Sequence, residues 1–429
     1  MKRSPAIALL LLLALPLSLR ALRKKHGSLL RNRVFASQVL QGSFPYKPQA
    51  RDPRPVHAPY PPSYGVVMAP LLLVPLPAAR VLWVLLQVGM LGLMFSQLTQ
   101  WYRRTHQGRA PPAWLPIVAL LLVSRFFLRD TAGGGGNLVF ATLVLSACLP
   151  LESGKEGRLF RGALLGLVLA AKPTPILFLP LLLLQGRGRA FVSAIGVALA
   201  LHLSPMLFLG PSGWAQAYGH WLEGVLAYGS RADVFAQPSH GFPPFTWMHQ
   251  SLPYMLARFL GTVPKEQILP SPLFFQGAGL SPSIIHWIYR LLALFLVGLT
   301  ARRIGKQAMS GLQQRLHWLP AASALFALTL LLSPITWKAH HVALLPAFYY
   351  LAAQARDQRS LPLWIALALY FFVNDLLSQE ILGKLGKNLM QSYYTVTLGA
   401  LFVLWACLRS WGKNPGDPAG PTFPTKTEP

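Results

Sequence analysis

Apolar runs of nearly membrane-spanning length alternate with short polar turns along most of the chain. Ala6 to Leu19, Val81 to Leu98, Pro112 to Phe127 and Leu361 to Leu377 approach or reach the roughly 20 apolar residues that cross a bilayer as a helix. The pattern predicts an all-α, polytopic integral membrane protein with about twelve transmembrane helices within residues 1–410. Residues 411–429, rich in Pro, Gly and Thr, are predicted to form a disordered cytoplasmic tail.

Two apolar runs near the N-terminus differ from a simple span. The run from Ala6 to Leu19 follows a basic dipeptide and has no convincing signal-peptidase site after it, which favours a retained signal anchor. The run from Tyr64 to Leu76 is interrupted by two prolines. We therefore expect a partial or surface-lying helix there, before a full span from Ala79 to Tyr102.

Composition and charge agree with this topology. The chain is 53% hydrophobic and only 12% charged, with a formal net charge of +27. The basic residues lie in short clusters between apolar runs and form no basic domain, which argues against nucleic-acid binding. With a cytoplasmic N-terminus, every short cytoplasmic loop is basic, as the positive-inside rule requires. We expect a bacterial cytoplasmic membrane protein with both termini in the cytoplasm.

This topology leaves the loops richest in His, Asp, Trp and Pro on the extracytoplasmic side. They are the first outer loop 20–63, the turn 130–137, the turn 172–175, the long outer loop 210–282, and residues 333–341 and 379–390. Any chemistry is therefore expected to face away from the cytoplasm.

The sequence indicates neither a metal site nor a nucleotide cofactor. Cys148 and Cys407 lie in separate apolar runs, and no histidines have metal-ligand spacing. The run from Gly133 to Gly136 lacks the Lys-Ser/Thr pair of a nucleotide-binding loop. These glycines are expected to allow a tight turn or close approach to a ligand, with Asn137 capping the next helix.

Residues 331–347, with the sequence LLSPITWKAHHVALLPA, place polar side chains between two apolar runs. Trp337, Lys338, His340 and His341 lie near the expected start of a helix, where imidazoles can meet a phosphate or a hydroxyl. The alternative is an interfacial belt, in which Trp anchors at lipid headgroups and Lys extends toward them.

Lys172 and Thr174, in the sequence Ala-Lys-Pro-Thr-Pro, interrupt two apolar runs on the same side. An ionisable residue beside a span is a candidate ligand for an anionic group, although a lysine that extends from a helix end to the interface has the same pattern.

The first outer loop is basic although it lies outside. Arg31 and Arg33 can present guanidinium groups to a phosphate, or the loop can simply attract anionic headgroups. Asp52 is the one carboxylate of this loop, and Tyr60 opens a rigid Tyr-Pro-Pro sequence.

Together these stretches resemble glycosyltransferase family 87, membrane enzymes of the GT-C superfamily that include polyprenyl-phosphomannose-dependent mannosyltransferases. The matching segments are YPPSYGVVMAPLLLVPLPAARVLWVLLQ, a Gly-rich turn closing on Asn137, LLGLVLAAKPTPILFLPLLLL and the polar segment 331–347. Their order and spacing follow the family from about residue 28 to residue 350.

The resemblance implies a GT-C-like fold and an inverting glycosyltransferase. A hexose, with mannose the expected sugar, would move from a polyprenyl-phosphate donor to a lipid or glycan acceptor on the extracytoplasmic face. No nucleotide or redox cofactor is implied. Substrate and phosphate contacts are then expected from Arg31, Asn32, Arg33, Tyr60, Asn137, Lys172, Thr174, Trp337 and Lys338.

The identity of the catalytic base stays open. The transfer needs a base on the acceptor hydroxyl, and the acidic residue that the family usually has before its Arg-Asn stretch is replaced here by Leu29 and Leu30. The catalytic candidates are Asp52, Asp130, His340 and His341.

Two other functions remain open. The substitution at Leu29 suggests a non-catalytic protein that binds lipid-linked sugar. A lipid or sugar transporter is the other alternative, and it would carry polar residues at mid-membrane on several spans.

Overall fold

The computed structural model describes residues 14–23, 27–46, 59–149, 155–308 and 318–410. Asp52, the tail 411–429 and the start of the N-terminal apolar run lie outside these residues. Within them the protein is all-α, and the β-type pairing is limited to an isolated bridge between His249 and Trp337. The prediction of an all-helical fold is confirmed.

Residues 14–22 are helical, and the helices that follow are numbered in chain order. They are α1 Ser28–Leu40, α2 Ser63–Met68, α3 Leu76–Thr105, α4 Trp114–Leu121, α5 Ser124–Gly133, α6 Asn137–Cys148, α7 Lys155–Ala171, α8 Phe178–Leu184, α9 Gly188–Leu203, α10 Met206–Ser230, α11 Leu252–Leu260, α12 Pro282–Ala308, α13 Trp318–Leu332, α14 Leu345–Asp357, α15 Leu361–Phe371, α16 Gln379–Ser392 and α17 Thr395–Ser410. Between these helices lie the 3-10 segments Ala69–Leu73, Thr174–Leu177, Lys265–Gln267 and Lys338–Leu344, and the π-helical turn Phe372–Leu376.

Among the residues that the structure describes, two helices are long and apolar enough to cross a membrane, by length and composition. They are Leu76–Thr105 and the Pro282–Lys306 part of α12. Three sharply bent pairs raise the number to five if each pair is one span: α5 with α6, α9 with α10, and residues 361–376 with 381–392. The side chains of α12 are largely exposed, among them Leu291, Leu294 and Phe295, as expected for a helix in contact with lipid.

The interior is built mainly from α6, α13, α14 and α17. Phe348, Tyr349 and Leu351 of α14 are completely buried. α13 packs on α17 and α14, and α7 packs along α9. This core holds the ends of the broken helices close to one another, and the polar turns lie at those ends.

The segment before α3 has the predicted interruption. The short helix α2 and the 3-10 segment Ala69–Leu73 precede the long helix that starts at Leu76. The long outer loop is largely helical, because α10 is broken at Gly210 (φ of 69°) and resumes from there to Ser230, and α11 also lies within the loop.

Candidate active site

One large cavity, with a volume of about 920 Å³, lies among these helix ends. Its walls come from Arg20 and from residues 27–35, 59–64, 124–140, 172–174, 221–243, 333–340 and 375–387. Each loop that the charge pattern predicts on the extracytoplasmic side therefore contributes residues to the same cavity.

The cavity brings together most of the side chains expected to contact substrate. Its lining includes Arg31, Asn32, Tyr60, Asp130, Asn137, Lys172, Thr174, Trp337 and His340. Arg33, Lys338 and His341 are absent from the lining, and Asp52 lies outside the described residues.

Asp130, Asn137 and Lys172 form a hydrogen-bonded chain along one wall. Asn137 Nδ2 donates to Asp130 Oδ1 over 2.7 Å, and Lys172 Nζ donates to Asn137 Oδ1 over 2.9 Å. Asp130 Oδ2 accepts a 3.1 Å hydrogen bond from the backbone N–H of Leu138. Asp130 therefore satisfies a free N–H in the first turn of α6, while Asn137 connects it to the cation.

The Gly-rich turn is shaped around this carboxylate. Gly134 has the left-handed conformation, with φ of 70°, and ends α5. A Cβ atom on Gly135 would lie 2.0 Å from Asp130 Oδ1. Trp83 Nε1 donates to the carbonyl oxygen of Gly135 over 2.8 Å and fixes the turn from the side of α3. The predicted tight turn is present, and the group close to Gly135 is Asp130. The prediction that Asn137 caps α6 is wrong, because Asn137 is the first helical residue and Asp130 accepts from the N–H of Leu138 instead.

Lys172 lies in the turn after α7, half-buried beside the cavity. Burial lowers the pKa of its ammonium group to about 8, against the opposing effect of Asp130. The side chain is thus still mainly a cation at neutral pH, in a setting where an added anion would stabilise its charge.

His340 and His341 point to different surroundings. His340 Nδ1 accepts a 3.2 Å hydrogen bond from the backbone N–H of Trp337. Burial, with the Lys172 cation, lowers the pKa of His340 well below its usual value, so the ring is neutral and carries its proton on Nε2. The ring of His341 is completely buried against Phe126.

The two arginines of α1, Arg31 and Arg33, have different surroundings. Arg31 is exposed and lines the cavity. Arg33 Nη1 instead donates to the backbone carbonyl oxygens of Leu71 and Val74, the latter over 2.8 Å. Arg33 therefore holds the 3-10 segment after α2, a role that differs from the expected phosphate contact.

Aromatic rings form another part of the wall. The ring of Tyr60 stacks on Tyr64 with centroids 4.1 Å apart. Trp221 Nε1 donates to the Pro59 carbonyl oxygen over 3.2 Å, which connects α10 to this sequence. Trp221, Tyr60 and Trp337 line the cavity and offer ring faces on which a sugar can lie.

The lining also contains residues that no sequence motif marked. They are Ser124, Arg125, Arg129, Asp375, Ser378, Gln379 and Lys387. Asp375 and Arg125 are ionisable residues inside or at the end of apolar runs, and that position was the signal available in the sequence.

The charge of the lining suits an anionic substrate. Cationic side chains are more numerous than carboxylates among the lining residues: Arg20, Arg31, Arg125, Arg129, Lys172 and Lys387 against Asp130 and Asp375. Arginine and lysine favour phosphate groups, and their charges stabilise negative charge that develops on a leaving phosphate. In the part of the chain that the structure describes, no group of three or more His, Cys, Asp or Glu residues is placed to hold a metal ion.

The fold and the cavity define a helical membrane protein with a cationic, aromatic-lined site at its helix ends. Comparison with known proteins gives the family. The model of glycosyltransferase family 87 matches residues 59–334, and the chain belongs to that family.

A curated relative is the polyprenol-phosphate-mannose-dependent alpha-(1-2)-phosphatidylinositol mannoside mannosyltransferase of Mycolicibacterium smegmatis. It is 23% identical over 313 residues, which cover 70% of this chain and 63% of the relative. The chain thus spans less than two thirds of the relative's length.

Proposed function

We propose that this protein transfers a hexose, with mannose the expected sugar, from a polyprenyl-phosphate donor to a lipid or glycan acceptor, with inversion at the sugar carbon. The observation that carries the proposal is the cavity, in which Arg31, Lys172 and His340 come together from three separate segments. Family membership and the donor named for the mycobacterial relative support the same donor class.

The phosphate of the donor would lie between Arg31 and Lys172. Both groups are positive at neutral pH, and their attraction to the phosphate increases as the sugar–oxygen bond breaks and negative charge develops on the leaving group. His340 lines the same cavity as a neutral ring, whose Nδ1 accepts from the backbone N–H of Trp337. Thr174 and Asn32 add hydrogen-bonding groups to the same lining.

In this proposal Asp130 positions the site. Its two carboxylate oxygens accept from Asn137 and Leu138, and Asn137 in turn accepts from Lys172. The chain keeps the Lys172 ammonium group at a fixed place beside the cavity, which is the pre-organisation that electrostatic catalysis needs. Arg33 and His341 are left with structural roles, and Lys338 is not part of the lining.

The proposed setting is a bacterial cytoplasmic membrane, crossed about twelve times, with both termini in the cytoplasm. Short apolar helices such as Trp318–Leu332 and Thr395–Ser410 supply candidates for the additional crossings. Reporter fusions in the turns at Lys172 and Lys338 test the orientation, and a cytoplasmic signal from either would contradict it.

The function is tested with purified, folded protein and a synthetic, radiolabelled mannosyl-phosphate polyprenol. The acceptor is a lipid extract of bacterial membranes. We expect a labelled lipid or glycan product that depends on both protein and donor. Parallel reactions contain a nucleotide-linked mannose without polyprenyl phosphate, and these are expected to give no product.

Direct transfer from the nucleotide sugar would contradict the proposed donor. Failure to transfer mannose, glucose or galactose from polyprenyl phosphate would contradict the proposed function. Asp52→Asn is assayed beside the wild type, and unchanged transfer would remove the loop carboxylate from the catalytic candidates.

A further inference from the structure

We propose that Asp375 is the general base of the transfer, and that its carboxylate receives the proton of the acceptor hydroxyl. The inference rests on the proposed transferase function. It concerns a residue outside the segment 59–334 that matches the family model, in the π-helical turn Phe372–Leu376. This turn extends the C-terminal end of α15, and π-helical turns occur frequently at functional sites.

The turn places Asp375 in the wall of the cavity and holds one of its oxygens. Oδ1 accepts a 3.1 Å hydrogen bond from Ser124 Oγ and a 2.9 Å hydrogen bond from the backbone N–H of Arg125. Arg125 Nη1 donates back to the backbone carbonyl oxygen of Asn374 over 2.9 Å. The first turn of α5 and the π-helical turn therefore hold each other in place.

The second oxygen of the same carboxylate accepts no hydrogen bond from the part of the chain that the structure describes. Asp375 is 8% exposed, and its Oδ2 has no hydrogen-bond partner among the described residues. A buried polar atom without a partner costs about 1–3 kcal/mol and needs an explanation. A substrate hydroxyl that donates to Oδ2 supplies the missing bond, and the resulting contact is the one that a general base makes.

The other described candidates are less suited to this step. Both oxygens of Asp130 already accept hydrogen bonds from the turn that they organise. The Nδ1 atom of His340 already accepts from the backbone N–H of Trp337, so this ring has no free acceptor nitrogen for the hydroxyl proton. Leu29, at the position where the family resemblance places an acid, is 4% exposed and is not part of the cavity lining.

The step balances with the groups that are present. The acceptor hydroxyl oxygen forms a bond to the anomeric carbon, and the bond from that carbon to the phosphate oxygen breaks. The electron pair leaves with the polyprenyl phosphate, whose charge Arg31 and Lys172 stabilise. The hydroxyl proton passes to Asp375 and is later released to water, so no further reactant is required.

The test compares Asp375→Asn with the wild type in the donor-dependent transfer assay. Asn keeps an oxygen that can accept from Ser124 and Arg125, so the helix contact is retained while the base is lost. We expect kcat to fall about 10²-fold or more, with donor binding unchanged, because general-base catalysis contributes about 10²–10⁴-fold. Asp375→Glu, which restores a carboxylate, is expected to recover part of kcat.

Asp357→Asn is the matched control. Asp357 bonds His106 over 2.8 Å and is not part of the cavity lining, so its loss is expected to leave transfer unchanged. Donor binding is measured separately with labelled mannosyl-phosphate polyprenol on each purified variant, and folding is followed by thermal unfolding.

The outcomes separate this inference from the proposed function. If the wild type transfers the sugar and Asp375→Asn does so at a rate within threefold of the wild type, the role of Asp375 is overturned and the transferase function still holds. Loss of donor binding or of folding in both Asp375 variants would assign Asp375 a structural role and also overturn the inference. No transfer by folded wild-type protein would overturn both.

Discussion

Helix α5 lies between two carboxylates that differ in how fully they are bonded. Asp130, at its C-terminal end, uses both oxygens to hold Asn137 and Leu138. Asp375 meets its N-terminal end with one oxygen, and the other has no partner among the described residues. Burial and residue type alone therefore do not assign a catalytic role to either carboxylate. The hydrogen-bonding capacity that remains on each group separates a positioning residue from a candidate base.

The largest effect is expected from a substitution that displaces the fully hydrogen-bonded carboxylate, Asp130. The substitution is made at Gly135, which lies against it. In Gly135→Ala, the new Cβ would lie 2.0 Å from Asp130 Oδ1, so the carboxylate must move and the chain to Lys172 breaks. We expect transfer to fall on the order of 10²-fold, the effect of misplacing a catalytic group by about 1 Å. Steady-state kinetics with the polyprenyl-phosphate donor measure it.

Gly196→Ala is its control, because nothing lies within 4 Å of a Cβ atom at that position. Equal rates for the Gly135 and Gly196 variants would show that the closed chain is unnecessary, and the contrast between the two carboxylates would lose its functional meaning.

A somewhat smaller effect is expected when the cation at the end of the chain is removed. Lys172→Met loses a charge-assisted contact to the donor phosphate, worth about 1.5–3 kcal/mol, or roughly 10- to 100-fold in kcat/KM for the donor. The KM for the acceptor is expected to change little. Lys384→Met is the matched control, because Lys384 is exposed and is not part of the cavity lining. An equal loss in both variants would point to general charge effects.

The smallest expected effect is on the pH profile. Burial lowers the pKa of Lys172 to about 8, and Asp130 opposes that shift. Lys172 is therefore charged below this pH and neutral above it, so donor kcat/KM is expected to decline as pH rises through 8, by about tenfold at pH 9. Lys172→Arg should remain charged and keep the plateau to higher pH. The same alkaline decline in that variant would assign the titration to another group.

The amino-acid pattern was sufficient to predict much of the architecture. Apolar length and the distribution of Lys and Arg predicted the helical class and grouped the polar turns on one side. Those turns do meet at one cavity. The helical class and the grouping of the turns could be predicted because a bilayer restricts the backbone to a few structures, and because the charge of short loops governs their orientation. The Gly-rich turn and the family's segments were also visible as local sequence.

Side-chain roles within those turns depended on three-dimensional packing. Arg31 and Arg33 are two residues apart on α1, so a helix points them to different sides, and only Arg31 reaches the cavity. Asp375 has no local motif. Its candidate role arises because the π-helical turn lies against Ser124 and Arg125, about 250 residues earlier in the chain. Sequence patterns show the periodicity and length of the elements. The hydrogen-bonding capacity that a buried group keeps unused depends on which distant elements pack around it.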